Sequence, residues 1–308
     1  MEKASHSNAD GSKMPTSTST IRSEASLSSD SATGTNISNT GADVHTLCVD
    51  CGGGGIKSAV VNSNGDAATT TVRSGVVYPF TPSDLIETVR NHISALNNPD
   101  FQRITVGLPG VIRNGNVVFT PHYIRDNGPH TQALPALASQ WNGLDAEELF
   151  VGSFGVPTLA FNDAEVAACS VIQGVGSELV LTLGTGLGCA FFVDGRLIPH
   201  IEMSHAPFKD GQTFDQVLGE HRRLFLDDAE WSRLVFDAVR ALWPVFRWDH
   251  LFIGGGNAAR ITPEVRDALN QSRDAIEGIK PNTVKFIDNF AGLSGGNAAW
   301  ELLTQADS

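Results

Sequence analysis

No stretch of about 18 consecutive apolar residues occurs in the sequence, so nothing in it reads as a membrane-spanning helix. Basic residues are scarce: 21 Lys and Arg stand against 34 Asp and Glu, a formal net charge of −13. That deficit argues against a general nucleic-acid binder, which relies on basic surface. Cysteines are few, at 48, 51, 169 and 189. Cys48 and Cys51 have no second Cys or His pair at short spacing, so no zinc site is expected, and all four read as reduced core or near-core thiols. The cytosol permits such thiols, so the expectation is a cytoplasmic protein. Gly-Lys dipeptides are absent, which removes a Walker A loop. What remains, 41% hydrophobic and 18% charged residues over a chain of 308, fits a globular protein of one large or two modest domains.

Residues 1–42 are rich in Ser, Thr, Asn and Gly and hold no aromatic residue, so they read as a disordered tail unable to offset its ordering entropy. A transit peptide is the alternative, disfavoured by one arginine against four acidic residues. Beyond the tail, strand and helix patterns alternate, an α/β organisation. His45–Asp50 reads as a strand leading into Cys51 and four glycines, and Ile56–Val61 as a second strand ending at an Asn62–Gly65 turn. A helix is expected over 82–96 with Ser83 as its N-cap. The strand Arg103–Val106 runs into Gly107–Gly110, a hairpin turns at Asn114-Gly115, and Pro157–Phe161 ends at Asn162-Asp163 before an alanine-rich helix. The pattern then returns: strand Glu178–Leu183, glycine turn 184–188, strand Cys189–Val193, tight turn Asp194-Gly195. The same order of parts thus occurs twice, about 130 residues apart, which indicates an internal duplication. A later strand at Leu251–Ile253 meets Gly254-Gly255-Gly256, and a last helix follows Gly295-Gly296.

The glycine runs suggest phosphate. A dinucleotide fingerprint fails because its third glycine falls at Lys57 and strand, not helix, follows. The remaining reading is a β-hairpin whose turn offers backbone N–H groups to a phosphate, with glycine allowing close approach. Asp50, at the end of the first strand, is placed to hold Mg²⁺ through water beside that phosphate.

Asp50-Cys-Gly-Gly-Gly-Gly-Ile-Lys57 resembles the first phosphate motif of the ROK family (repressors, open reading frames, sugar kinases). Gly107-Leu-Pro-Gly110 resembles its sugar-side loop, Asn162-Asp163-Ala164 its catalytic segment and Leu181–Gly188 its second phosphate motif. Pro199-His-Ile-Glu-Met-Ser-His205 is similar to the family's Pro-Asn-x-Glu-Leu-Gly-His sugar motif, and Gly254–Gly256 to the turn near the nucleoside. Six such segments stand in the family's order. The resemblance implies an actin-like ATPase (ribonuclease H-like) duplicated fold of two lobes around a cleft. The expected small lobe spans 43–161 and the large lobe 162–293, with a C-terminal helix over 294–308 packing on the small lobe.

It also implies roles. Asp163 would be the general base for a hexose hydroxyl, although Asn162-Asp163 also suits a helix N-cap, and both roles are compatible. Asn162, Glu202, His205, Pro109 and Gly110 would bind the sugar. Asp50, Gly52, Gly53, Gly54, Gly55, Lys57, Gly184, Thr185, Gly186, Gly254, Gly255 and Gly256 would bind phosphate or nucleotide, with Lys57 equally able to face solvent. Departures narrow the branch: no cysteine cluster follows His205, so the chain looks like the zinc-free polyphosphate glucokinases. Gly54 replaces a Thr or Ser, and His200 and Ser204 replace Asn and Gly. The implied activity is a Mg²⁺-dependent glucokinase using polyphosphate or ATP, in a homodimer. His221-Arg222-Arg223 with Arg196 are candidates for a polyphosphate track, against a solvated helix face. The alternatives are an ATP-dependent kinase of fructose or mannose and a non-catalytic sugar-binding protein; a repressor would need a helix-turn-helix before Asp50.

Overall fold

Thr46–Cys51 forms β1 and Gly55–Val61 forms β2, an antiparallel hairpin in register from Thr46↔Val61 to Cys51↔Ile56. A computed structural model describes residues 43–271 and 283–304; the Ser/Thr-rich segment 1–42 and residues 305–308 of the expected terminal helix lie outside the described residues. Val72–Gly75 (β3) pairs with β2, and Arg103–Leu108 (β4) runs parallel to β1. A small hairpin, Val111–Arg113 (β5) and Asn116–Phe119 (β6), turns at Asn114-Gly115 as its residues suggest, and Thr158–Asn162 (β7) closes the sheet in the order β3-β2-β1-β4-β7.

The second sheet repeats this plan. Ser177–Leu183 (β8) and Leu187–Val193 (β9) form the hairpin, and Arg196–Leu197 (β10) extends it. After the small pair Pro207–Lys209 (β11) and Gln212–Thr213 (β12), His250–Gly254 (β13) and Val284–Phe286 (β14) complete the order β10-β9-β8-β13-β14. In both sheets the first strand is antiparallel to its hairpin partner and parallel to the strand on its other side.

Helices cover both faces. On the first sheet, Pro82–Ala95 (α1), Pro135–Trp141 (α2) and Ala146–Phe154 (α3) bury Leu85, Val89, Trp141 and Phe150 against Leu47, Val49, Ile104 and Val106. Helix α1 is capped by Thr81 rather than Ser83: Pro82 occupies the first helical position, where its missing N–H costs nothing, and Thr81 and Asp84 form a capping box. The strand residue between Leu47 and Val49 faces the other way, where Cys48 packs with Ala59, Val61 and Leu293 of the last helix, Ala291–Leu302 (α9). Asp163–Cys169 (α4) sets Ala164 and Ala168 against Val180, Phe192 and Phe252 of the second sheet. The short helices Phe214–Leu218 (α5) and Glu220–Arg223 (α6) and the long Asp228–Phe246 (α7) cover the second sheet's far face, where Trp231, Val235 and Leu242 meet Leu179, Leu181 and Leu251; Pro263–Gln271 (α8) adds Leu269.

Helix α9 starts before Gly295-Gly296, not after them. A Cβ on Gly295 would overlap the Val166 carbonyl oxygen, and one on Gly296 would overlap Cys48 Sγ, so these two glycines let α9 press onto α4 and β1. Thr105 Oγ1 donates to the Gly296 carbonyl at 2.6 Å and Trp300 Nε1 donates to Thr105 Oγ1 at 2.9 Å, tying α9 to β4. Helices α4 and α9 therefore pack on each other, one against each sheet. None of the described helices is long and apolar enough to cross a membrane.

Candidate active site

The carboxyl ends of β1, β4, β7, β8, β13 and β14 converge on one cavity of about 350 Å³, the end of an α/β sheet at which ligands gather. The first hairpin turn is closed by Gly52 N–H donating to the Gly55 carbonyl at 2.9 Å, the second by Gly184 N–H donating to the Gly186 carbonyl at 3.0 Å. They face each other: a Cβ placed on Gly54 would lie 3.7 Å from Thr185 Oγ1. Gly54, which lacks the hydroxyl of the resembling motif, thus sits opposite a hydroxyl supplied by the other turn.

Asp163 lines the same cavity, at the junction of β7 and α4. Asn162 caps this helix: its Oδ1 accepts from Ala164 N–H at 2.9 Å, and Glu165 Oε2 accepts from Asn162 N–H at 3.1 Å. Asn162 Nδ2 donates to the Gly110 carbonyl at 2.9 Å, which straps the Pro109-Gly110 loop beside the helix start. The cap and the strap hold Asp163 over the cleft. Burial, then the neighbouring Asp50 carboxylate and Glu202, push its carboxyl up to about 7, against the Ala164 N–H bond and His200, which pull it down.

Asp50, Lys57 and Arg73 stand opposite one another in register across β1, β2 and β3, so they share one face of the sheet. Lys57 Nζ lies 2.9 Å from Asp50 Oδ2 and 3.2 Å from Asn289 Oδ1, which turns it to the cleft rather than to solvent. Arg73 lines the same cavity at its open rim. The other cations considered from sequence lie elsewhere. Arg196 is on β10, the outer strand of the second sheet, and does not line the cavity, while Arg223 donates to both oxygens of Glu220 at 2.7 and 2.9 Å. His221 rests on His130, ring centroids 3.9 Å apart.

Glu202, Ser204, His205, His122 and Asp215 line the same cavity, with His122 against Gly53 of the first glycine turn and Asp215 against Gly186 of the second. Glu202 Oε1 accepts from Ser204 Oγ at 2.6 Å. Burial raises the Glu202 carboxyl, but the nearby His200, the hydrogen bond from Ser204 and the charge of His205 outweigh it and hold the group below its usual range. Burial, with His130 next in effect, pulls His122 down to about 4, so its ring is neutral at pH 7. That ring lies where a Cβ on Gly53 would be, 2.7 Å from its nearest atoms. Burial pushes the Asp215 carboxyl up, opposed first by His221.

Of the residues singled out from sequence, Asp50, Gly52–Gly55, Lys57, Pro109, Gly110, Asn162, Asp163, Gly184–Gly186, Glu202, His205, Gly255 and Gly256 all line this cavity. Gly254 does not: it ends β13, and the space a Cβ would take is filled by Ile287. Sequence reasoning passed over Arg73, His122, Asp215 and Glu165, the buried partner of His200. His122 follows Pro121 in a loop with no periodicity, and only the sheet register aligns Arg73 with Asp50. Among the described residues no group of three or more His, Cys, Asp or Glu is placed to hold a metal ion by itself, and the four cysteines are free and buried. A Mg²⁺ ion usually takes one or two carboxylates and completes its shell with waters and substrate phosphates; Asp50 beside the glycine turn fits that requirement.

The paired sheets with helices α4 and α9 between them form the duplicated actin-like ATPase fold. A crystal structure of an inorganic polyphosphate/ATP-glucomannokinase from Arthrobacter sp. matches with a TM-score of 0.64 at 25% identity, over 85% of this chain and 99% of that one. Polyphosphate glucokinase of Mycobacterium tuberculosis is 24% identical over 267 residues, covering 83% of this chain and 91% of the relative. An uncharacterized protein of Clostridium perfringens is 28% identical over 158 residues; there the match spans about half of each chain, 49% and 48%. Residues 46–208, more than half of the sequence, match the profile of the ROK family. With both glycine turns, the Asp163 segment and the Glu202 loop inside one cleft, the chain belongs to the ROK family of sugar kinases and their relatives.

Proposed function

We propose that this protein is a hexose kinase that transfers the terminal phosphoryl group of polyphosphate or ATP to the 6-hydroxyl of glucose. One observation carries the reading: Asp163, with a carboxyl raised to about 7, lies in one cavity with two facing glycine turns and the hydrogen-bonding groups of Glu202, His205 and His122. Phosphoryl transfer asks a protein for positioning, charge neutralisation and a proton acceptor. Glu202, His205 and His122, with the Pro109-Gly110 loop, bind and orient the sugar. Asn162, whose amide is engaged by Ala164 and Gly110, keeps a lone pair of Oδ1 for a ring hydroxyl. The ionised Asp163 accepts the proton of the 6-hydroxyl as that oxygen attacks the terminal phosphorus, and the bond from phosphorus to the bridging oxygen of the donor breaks. The glycine turns with Thr185 hold the phosphoryl oxygens, and Gly255-Gly256 the donor's far side. Asp50 would hold Mg²⁺ through water, and the ion supplies charge neutralisation on the donor phosphates.

The Lys57–Arg73 row supports a donor with several phosphates. Neighbouring strands lie about 4.8 Å apart, so the row gives an extended polyanion cationic partners out to the sheet edge. The glucomannokinase of Arthrobacter bears both donors and two sugars in its name, so mannose belongs beside glucose in the test. A matrix of glucose, mannose, fructose and N-acetylmannosamine against ATP and polyphosphate, assayed by coupled release of sugar 6-phosphate, identifies the pair. The Asp163→Asn variant is expected to lose at least about 10² in kcat. Turnover with ATP and none with polyphosphate would reject the polyphosphate half, and a fully active Asp163→Asn would reject the mechanism. Light scattering of the purified protein tests the expected homodimer.

A further inference from the structure

His200 has no part in the proposed phosphoryl transfer, yet it is the most tightly enclosed ionisable side chain of the sugar loop, 3% exposed. Its Nδ1 lies 3.1 Å from Glu165 Oε1. The other oxygen of Glu165, itself buried, accepts the backbone N–H of Asn162, the cap of the helix that begins with Asp163. On its opposite side His200 Nε2 is buried without a hydrogen-bond partner and lies 3.8 Å from Glu202 Oε2. That gap is too long for a hydrogen bond but short for opposite charges. Glu202 is fixed from its other oxygen by Ser204. A continuous line of polar contacts therefore runs from Ser204 through Glu202, His200 and Glu165 to the start of α4.

A buried carboxylate–imidazolium–carboxylate row is expensive to desolvate, and packing alone would be served as well by apolar residues. The one unpartnered nitrogen points at the group expected to bind the acceptor. We propose that His200 is a positioning residue for the sugar acceptor: it holds the Glu202 carboxylate in its cleft-facing orientation and ties that loop to the helix start carrying Asp163. The identity of the acceptor rests on the hexose-kinase reading; the positioning rests on the contacts just described.

Charge gives the device a pH signature. The titratable groups facing His200 are Glu165 and Asp163 of α4, Glu202 and His205 of its own loop, and the Cys189 thiol of β9, which burial pushes up to about 12. Burial alone would pull the His200 imidazole down, but the hydrogen bond to Glu165 and the carboxylates of Glu165 and Glu202 lift it to about 9. The clamp is thus cationic at neutral pH and loses its charge as pH rises through about 9.

Two double variants separate positioning from folding, because Glu165→Gln keeps the acceptor for Asn162 N–H while removing the buried charge that His200 neutralises. In His200→Ala/Glu165→Gln no side chain from position 200 reaches Glu202; in His200→Gln/Glu165→Gln a neutral donor does. Steady-state kinetics from pH 7 to 10 and glucose binding by calorimetry are read together, with circular dichroism to confirm folding. The Ala variant is expected to raise the glucose KM about tenfold or more, the scale of a lost hydrogen bond to a charged group, with donor KM within about twofold of wild type. The Gln variant recovers most of the glucose affinity at pH 7.5. Wild-type glucose KM rises as pH passes about 9, and both variants lack that rise. Unchanged glucose KM in the folded Ala variant, equal losses toward glucose and donor, or a flat wild-type profile through pH 9 would each overturn the positioning role. Should the Ala variant not fold, the wild-type profile and the Gln variant decide. A wild type that neither binds nor phosphorylates any hexose overturns the kinase reading itself, and this assignment with it.

Discussion

At the scale of single residues, the cleft is governed by where carboxylates are placed relative to one another. Asp163 shares its surroundings with Asp50 and Glu202, and the raised carboxyl that results suits a base working near neutral pH. As the proposed base, Asp163 must be ionised, so kcat/KM is expected to increase tenfold per pH unit below about 7 and to level above it, and Asp163→Asn to lose that limb. The same shift acts on stability. A folded-state carboxyl above its ordinary value near 3.8 favours the protonated fold; that contribution is fully present below about pH 4 and is lost as pH rises through about 7. Asp163→Asn should therefore be more stable than wild type at pH 8, by about 1 kcal/mol or more, with a smaller advantage at pH 5; urea titrations at the two pH values measure it. Arg73 gives a prediction of another kind. It lines the cleft in register with Lys57, so under the proposed donor role Arg73→Ala should raise KM for polyphosphate and for ATP several-fold while leaving glucose KM unchanged. A change confined to glucose KM would place Arg73 elsewhere in the mechanism.

At the scale of elements, α9 shows how a local rule is reversed by packing. In an exposed helix, Gly→Ala gains about 1 kcal/mol of propensity. At Gly295 the added methyl meets the carbonyl oxygen of Val166, a backbone atom that moves only if α4 does. Overpacking of this sort costs about 1–3 kcal/mol, so Gly295→Ala should lower the urea midpoint, whereas Gly152→Ala, on α3 with open space around it, should not. The start of α9 was misread from sequence for the same reason. Gly295-Gly296 reads as a turn because glycine is a poor helix former, and only the neighbouring α4 and β1 give it a helical role. The Thr81 cap was missed in a milder way: both Thr81 and Ser83 are good caps, and Pro82 decides between them by taking the first helical position.

At the scale of the whole molecule, one cleft draws on the carboxyl ends of six strands from two sheets. Ligands bound there bridge the two sheets, so they should stabilise the chain as a unit. Glucose at 100 times its Kd is expected to add about 2.7 kcal/mol, seen as a raised thermal midpoint, and a non-hydrolysable donor analogue should add to it. Asp163→Asn should keep the glucose effect, which separates binding from catalysis; loss of the effect in that variant would make Asp163 part of the sugar's binding rather than of its reaction.

Local chemistry alone determined the two strand–glycine–strand units, their tight turns at Asn62–Gly65 and Asp194-Gly195, and the helix start at Asn162-Asp163, because each depends on residues adjacent in the chain. It also singled out about half of the residues that line the cleft, since glycine turns and a carboxylate at a strand's end carry their own signal. Tertiary structure alone decided what no short segment contains: that Gly54 faces Thr185, that Arg73 aligns with Asp50 two strands away, and that His200 stands between Glu165 and Glu202. Those relations depend on sheet register and on the packing of α4 against the second sheet. Contacts between groups tens of residues apart leave no pattern in the order of the chain.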